Sequence, residues 1–295
     1  MYNYLTSEAL DQFITLALKE DIADGDHSTL SSVPKNAQKK AHLLIKADGI
    51  LAGVELAKLI FAKVDKDLKL EIFINDGEKV KYGDIACIVS GKAQSILTAE
   101  RLVLNCMQRM SGIATLTNQF VKAVEGTNTK ILDTRKTTPN SRITEKWAVK
   151  IGGGTNHRYG LFDMIMLKDN HVDYAGGIQQ AIRAAQNYCT ENNKDLKIEV
   201  ETRNLKEVKQ VLEFSKQYKP IDFLMLDNMT NNMMREAVTM IQQFNESSSK
   251  KIKSEASGGI TLETVKDISK TGVDSISVGA LTHSYQSLDM SLKAI

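Results

Sequence analysis

Past Gly112 the apolar positions fall in short runs, at 130–133, 164–168, 197–201, 222–227, 252–255 and 275–279. Between them come stretches in which apolar residues recur with a helical period, such as 178–188, 205–218 and 229–244. Short strands alternating with amphipathic helices predict a parallel sheet covered by helices. Almost every run stops on a charged residue or a glycine, as in a (β/α) barrel, which gathers its chemistry at the C-terminal rim of its strands. Six runs are fewer than the eight of a closed barrel, so either the count is short or the barrel is incomplete.

Before Gly112 the pattern is different. A helix is expected over 7–20, with Ser7 as its cap and Leu10, Phe13, Ile14, Ala17 and Leu18 on one face. Strand signals at 41–46 and 68–74 flank a helix over 54–64, and the turn Asn75-Asp76-Gly77 precedes a strand over 80–89, giving a mixed α+β unit. A helix over 95–110 puts Leu102, Val103, Cys106 and Met110 on an apolar face, with Arg101, Asn105 and Gln108 together on the polar one. Arg101 is therefore presented to solvent, where an arginine is by default just a solvated charge.

The candidate chemistry concentrates in residues 133–171. One strand stops at Asp133-Thr134-Arg135-Lys136 and the next at Lys168-Asp169-Asn170-His171, so two buried strands each deliver cations at their ends. Between them Pro139 fits a first helical turn, Ile143, Trp147 and Ile151 mark one apolar helix face, and Gly152-Gly153-Gly154 follows. Three glycines free the backbone to approach an anion, with Asn156-His157-Arg158 as further donors; the alternative is a glycine-rich turn among solvated charges. Glu201 and Asp227 end neighbouring runs and suit a divalent metal shared with ligand phosphates, or else salt bridges to rim cations. Ser257-Gly258-Gly259 and Gly279-Ala280 follow the last two runs, where barrels commonly bind phosphate, although tight turns would read the same way. His171 and His283 are treated as supporting residues, while His27 and His42 sit in no cationic constellation.

Composition narrows the field. A chain of 295 residues with 42% hydrophobic content builds a substantial core, in one large domain or two modest ones. A net charge of +2 gives no ground for nucleic-acid or membrane binding and leaves small anions as the expected partners. Cys87, Cys106 and Cys189 fit neither a C-x-x-C nor a zinc pattern, which suits a reducing compartment, and the eleven methionines are core filler. No apolar run approaches the roughly 20 residues that span a bilayer, and no leader pattern opens the chain, so a soluble cytoplasmic protein is expected.

The motifs DTRKTTP, EKWAVKIGGGTNHR and LKDNH, in that order, resemble the quinolinate phosphoribosyltransferase family, also called nicotinate-nucleotide pyrophosphorylase. The similarity runs on through Glu20-Asp21, Thr98-Ala99-Glu100-Arg101, Ser111-Gly112-Ile113-Ala114, Glu199-Val200-Glu201, Leu226-Asp227-Asn228, Ser257-Gly258-Gly259 and the stretch from Ser277 to Ser284, essentially the whole chain. Departures are Asn140-Ser141, where the family often has Gly-Leu, and Thr202, where Cys or Val is frequent.

The resemblance implies an α/β fold: an incomplete barrel over 112–282, and an N-terminal open-faced α/β sandwich over 1–111 to which the tail 283–295 returns. It implies transfer of phosphoribosyl from phosphoribosyl pyrophosphate to quinolinate with loss of CO2, in NAD biosynthesis, with Mg2+ held by Glu201 and Asp227. Arg135, Lys136, His157, Arg158 and Lys168 would line the acid and pyrophosphate pocket, and Ser257, Gly258, Gly259, Gly279 and Ala280 would take phosphate. Lys136, Lys168, Glu201 and Asp227 would be closest to the chemistry. A homodimer is implied in which Arg101 reaches the partner's site, with a hexamer as a higher assembly. The readings set against this are a paralogue of the molybdenum-transport-associated type, a barrel aldolase using Lys168 as a Schiff base, and a non-catalytic anion sensor.

Overall fold

The structure, a computed structural model, describes residues 4–295. Helix α1 (Ser7–Ile22) is capped one residue earlier than expected: Thr6, not Ser7, accepts the Ala9 N–H at 3.1 Å. Helix α2 (His27–Ser32), capped by Asp26, is too short to leave a period in the sequence. Strands β1 (Gln38–Ile45) and β2 (Gly49–Ile50), helix α3 (Val54–Val64), and strands β3 (Lys69–Ile72), β4 (Lys79–Val80) and β5 (Ile85–Lys92) follow. The single strand expected over 80–89 is thus two, because the chain turns at Gly83, whose φ is 91° and whose N–H reaches the Ile45 carbonyl at 2.9 Å.

Helix α4 (Ala93–Ala123) is twice the length its apolar face suggested and runs unbroken through Ser111-Gly112. These small residues serve close packing rather than a break. The buried Ser111 hydroxyl bonds both the N–H and the carbonyl of Ala52, and a Cβ on Gly112 would lie 2.1 Å from the Gln286 carbonyl.

The remaining elements are β6 (Lys130–Leu132), α5 (Arg142–Ile151), β7 (Met164–Leu167), α6 (Asp169–Tyr174), α7 (Ile178–Glu191), β8 (Lys197–Thr202), α8 (Leu205–Gln217), β9 (Phe223–Asp227), α9 (Asn231–Ser247), β10 (Lys253–Ser257), α10 (Leu262–Ser269), β11 (Ser275–Ser277), α11 (Ala280–His283) and β12 (Met290–Ala294). Pro139 precedes α5 by three residues instead of opening it. That helix is buried almost all round, Glu145 and Lys146 included, while Trp147 and Ile151, expected on its buried face, are only half-covered.

Two main sheets result. One is antiparallel, in the order β12-β1-β5-β3, so the C-terminal strand pairs with β1. The other is parallel, in the order β6-β11-β10-β9-β8-β7. Its edge strands β6 and β7 do not pair with each other, which makes it the six-stranded, incomplete barrel. Val200, Leu224, Leu226, Ala256 and Ile276 are buried in this sheet, and α7, α8 and α9 bury Ile182, Val211 and Ile241. Each of these side chains except that of Ala256 contributes about 1.5 to 3 kcal/mol by leaving water.

By contact the chain divides into two compact units. One contains the residues up to Asn118 together with Lys136–Gly154 and Leu281–Ile295; the other contains Gln119–Arg135 and Thr155–Ala280. Among the described residues no helix is long and apolar enough to cross a membrane.

Candidate active site

Within the barrel unit, strand alternation decides what faces inward. Residues two apart share a face, so in β8 Glu199 and Glu201 point the same way, Glu201 at the rim and Glu199 one layer down. Parallel pairing then brings Glu201 opposite Met225, two residues before Asp227 in β9. The half-buried Glu201 carboxyl is raised above the usual glutamate range, first by burial and then by the negative charge of Asp227, with Lys168 partly offsetting both. Glu201 also accepts the Asp169 N–H. Lys168 is fixed by the capping of α6, where its own N–H meets His171 Nδ1 at 3.0 Å, so His171 is a supporting residue of that turn.

Arg203, the arginine next along the chain, bonds Asp173 and Glu207 instead of the rim carboxylates. Two carboxylates that repel each other beside a lysine fit a divalent cation. Asp227 is steadied by Asn228, whose Nδ2 donates to it at 2.6 Å and whose own N–H bonds the Ser257 carbonyl at 2.9 Å.

The turn after β10 is built for close approach. Gly258 has φ +101°, and a Cβ there would lie 2.2 Å from Asn228 Oδ1; Gly259 has φ +59° and faces open space, with nothing within 4 Å of where its Cβ would stand. Gly279 lies between β11 and α11, and Ala280 opens α11.

The acid-binding candidates are organised from below. Asp133, fully buried after β6, is not a rim ligand: it takes the His157 N–H at 2.9 Å and Asn156 Nδ2 at 2.5 Å, and so anchors the segment that closes toward β7. Arg158 donates to the Met164 carbonyl at 3.1 Å, and its guanidinium is pulled below its usual value, first by burial and next by the nearby positive charge of Arg135. Two guanidiniums held close enough to repel each other make a receptor for paired carboxylates. A cavity of about 520 Å³ in this unit is lined by His157, Arg158 and Glu255 and by Lys130, Lys197 and Lys253, the first residues of β6, β8 and β10, so it lies toward the N-terminal ends of the strands and not at the rim.

His157 Nε2 lies 2.9 Å from Glu199 and 3.5 Å from Glu255, carboxylates only 0% and 1% exposed. Imidazole and two carboxylates are also a metal-ligand set. The ring opposes that use, because Nδ1 accepts the Arg158 N–H at 2.7 Å, which leaves the ring proton on Nε2. A metal on Nε2 would need the proton moved to Nδ1, against that N–H. Neither interior glutamate was assigned a role from the sequence, although the alternation in Glu199-Val200-Glu201 shows that the two share a face.

The other unit carries the remaining candidates. Arg101 is exposed on α4. The Lys136 carbonyl accepts the Thr282 hydroxyl at 2.8 Å. A buried Glu145 receives Arg109 and the Thr138 N–H, and Arg109 also lies 5.2 Å from the Tyr285 ring, a network the helical pattern of α5 does not announce. His283 is exposed beside Ser284. The three-glycine loop differs from its expected role as an anion cradle: a Cβ on Gly152 would lie 2.4 Å from the Ala114 carbonyl, and one on Gly154 2.7 Å from Val149. Both are glycines because neighbouring backbone and side chains leave no room.

An incomplete parallel barrel with paired carboxylates, a lysine and an open glycine turn at its rim, and two mutually repelling arginines in the same unit, belongs to a class of protein suited to polyanionic ligands. The particular family follows from comparison. The family model for the quinolinate phosphoribosyl transferase N-terminal domain matches residues 24–111 and that for the C-terminal domain matches residues 113–293. The chain belongs to the quinolinate phosphoribosyltransferase family. It is 49% identical to quinolinate phosphoribosyltransferase [decarboxylating] 1b of Nicotiana tabacum, over 95% of this chain and 81% of that protein. It is 47% identical to the chloroplastic nicotinate-nucleotide pyrophosphorylase [carboxylating] of Arabidopsis thaliana, over 96% of this chain and 82% of that one. Among solved structures, NadC from Streptococcus pyogenes superposes with a TM-score of 0.89 at 36% identity, covering 98% of this chain and 97% of that one.

Proposed function

We propose that this chain transfers the phosphoribosyl group of phosphoribosyl pyrophosphate to quinolinate and releases CO2, giving nicotinate mononucleotide for NAD biosynthesis. The observation that carries this reading is the rim itself, where Glu201 and Asp227 lie close enough to repel each other beside Lys168 and so suit a metal-bound pyrophosphate, and the mutual repulsion of Arg135 and Arg158 supports those two as the acid clamp. Arg135 and Arg158 clamp the two adjacent carboxylates of the acid, with Lys136 adding charge. The pyridine nitrogen attacks C1′ of the ribose, and the C1′–oxygen pair leaves with pyrophosphate. The carboxylate beside the now cationic nitrogen then leaves as CO2. The pair from the broken carbon–carbon bond stays on the ring carbon until it takes a proton from water.

Lys168, next to Glu201, counters negative charge that develops on the departing pyrophosphate, so the side chains act by position and charge rather than as nucleophiles. Glu201 and Asp227 would hold Mg2+, which when bound neutralises pyrophosphate oxygens. Gly258, Gly259, Ser257, Gly279 and Ala280 would receive the phosphates through main-chain N–H groups.

The exposure of Arg101 supports a homodimer in which this residue serves the partner's acid pocket. As to compartment, the sequence led to a cytoplasmic expectation, whereas one relative from Nicotiana glauca is described as mitochondrial and that from Arabidopsis as chloroplastic.

The reading is tested by incubating the protein with phosphoribosyl pyrophosphate, Mg2+ and either quinolinate or nicotinate. Quinolinate should be consumed and nicotinate not; turnover of nicotinate alone would overturn the assignment.

A further inference from the structure

The barrel interior holds an acid pair with no part in the reaction as described above. Glu199 and Glu255 come from β8 and β10, both essentially without solvent contact, and each has one carboxylate oxygen with no hydrogen-bond partner among the described residues. Two adjacent carboxylates in an apolar barrel are costly unless a proton lies between them. Their surroundings fix its place. Glu255 lies 3.5 Å from the same His157 Nε2 that Glu199 meets at 2.9 Å, and burial, followed by the charge of Glu199, pushes its carboxyl well above the usual range. Glu199 accepts the Nε2–H of His157 at 2.9 Å, and Glu255, when protonated, has Glu199 as the acceptor at hand. His157 in turn accepts the main-chain N–H of Arg158 at Nδ1, while its own N–H is tied to Asp133. Glu199 also attracts the Arg158 guanidinium electrostatically. A continuous chain of contacts thus runs from Glu255 through Glu199 and His157 to the main chain of Arg158.

We infer that Glu255 and Glu199 are positioning residues, which hold His157 with its proton on Nε2 and thereby set the main chain and charge of Arg158 for a vicinal dicarboxylate. This rests on the reading of the arginines as the quinolinate clamp. His157 then acts through Arg158, with both ring nitrogens already engaged inside the protein.

The experiment compares wild type, Glu199→Gln, Glu255→Ala and Glu255→Gln in the full chain, with thermal melts to confirm folding. Michaelis constants for quinolinate and for phosphoribosyl pyrophosphate are measured, and 15N spectra are recorded of histidine-labelled wild type, with His157→Gln used only to assign the His157 signals. Wild-type spectra should show His157 protonated at Nε2 and bare at Nδ1. Glu199→Gln, which confronts Nε2–H with a weaker and uncharged acceptor, should raise the quinolinate KM about tenfold and leave the phosphoribosyl pyrophosphate KM within about twofold. Glu255→Ala should do the same, and Glu255→Gln, whose amide can donate to Glu199 as the protonated acid does, should recover most of that loss. A proton on Nδ1, or an unchanged quinolinate KM in folded Glu199→Gln, would overturn the inference. If wild type itself does not turn over quinolinate, the reading of the reaction has failed, whereas a wrong tautomer in an active enzyme condemns only the positioning chain.

Discussion

The turn after β10 gives the sharpest contrast that the structure offers, because two adjacent glycines there are glycine for different reasons. Gly258→Ala places a methyl at φ +101° and 2.2 Å from Asn228 Oδ1, with Asn228 Cγ at 2.5 Å and its main-chain nitrogen at 2.9 Å. The backbone conformation costs about 1 to 3 kcal/mol, and relieving the overlap costs about as much again. Asn228 cannot move without loosening its hold on Asp227 and the Ser257 carbonyl. A destabilisation of about 3 kcal/mol or more corresponds to a melting temperature lower by roughly 6 °C in a chain of this size.

Gly259→Ala has only the positive φ against it, about 1 to 2 kcal/mol, since nothing lies within 4 Å of its Cβ position. Its methyl would instead enter the open space assigned to a phosphate. Melting curves and steady-state kinetics separate the two effects. Gly258→Ala should lower both stability and activity, and Gly259→Ala should keep most of its stability while the phosphoribosyl pyrophosphate KM rises about tenfold or more. A Gly259→Ala enzyme with wild-type kinetics would mean that no phosphate lies over this turn.

Other perturbations address the rest of the site. Arg135→Ala and Arg158→Ala should each weaken quinolinate binding by about 1.5 to 3 kcal/mol by calorimetry, with phosphoribosyl pyrophosphate binding nearly unchanged; equal losses for both ligands would show that the pair is not an acid clamp. Glu201 has a raised carboxyl in the folded chain, so in metal-free buffer its contribution favours folding at low pH and is lost as pH rises above the ordinary value of 4.5 through the raised one. Glu201→Gln should flatten that fall in melting temperature and abolish the stabilisation by added Mg2+, and a variant still stabilised like wild type would remove Glu201 from the metal site. Inactive Arg101→Ala and Lys136→Ala subunits, dissociated and mixed, should regain about one quarter of wild-type activity if sites are shared between subunits, since half of randomly reassorted dimers carry one intact site. No recovery after confirmed exchange would assign Arg101 to its own subunit.

The strands were legible because a barrel strand is an apolar run that ends where its backbone meets solvent, and the runs 164–168, 197–201 and 222–227 fall within one residue of β7, β8 and β9. What failed to show were features set by neighbours distant in sequence. Ser111-Gly112 reads as a helix end until Ala52 and Gln286 are seen to require small residues there. Gly152 and Gly154 read as a ligand loop until Ala114 and Val149 fill the space. That Arg135 and Arg158 feel each other's charge could not be read from the sequence, because it depends on Thr155 bridging Leu132 in parallel and on Asp133 holding Asn156 and His157 beside the end of β6. Glu199 stands with Glu201 in one motif, but what it faces is decided by β10, which supplies Glu255.

The central claim, that the acid is held by its two adjacent carboxylates and loses the one beside the ring nitrogen, is tested most directly with quinolinate carrying 13C only in that carboxyl. Incubation with phosphoribosyl pyrophosphate and Mg2+ should release the whole label as CO2, one per pyrophosphate, and leave nicotinate mononucleotide unlabelled. Label retained in the nucleotide, or pyrophosphate released without CO2, would contradict the account.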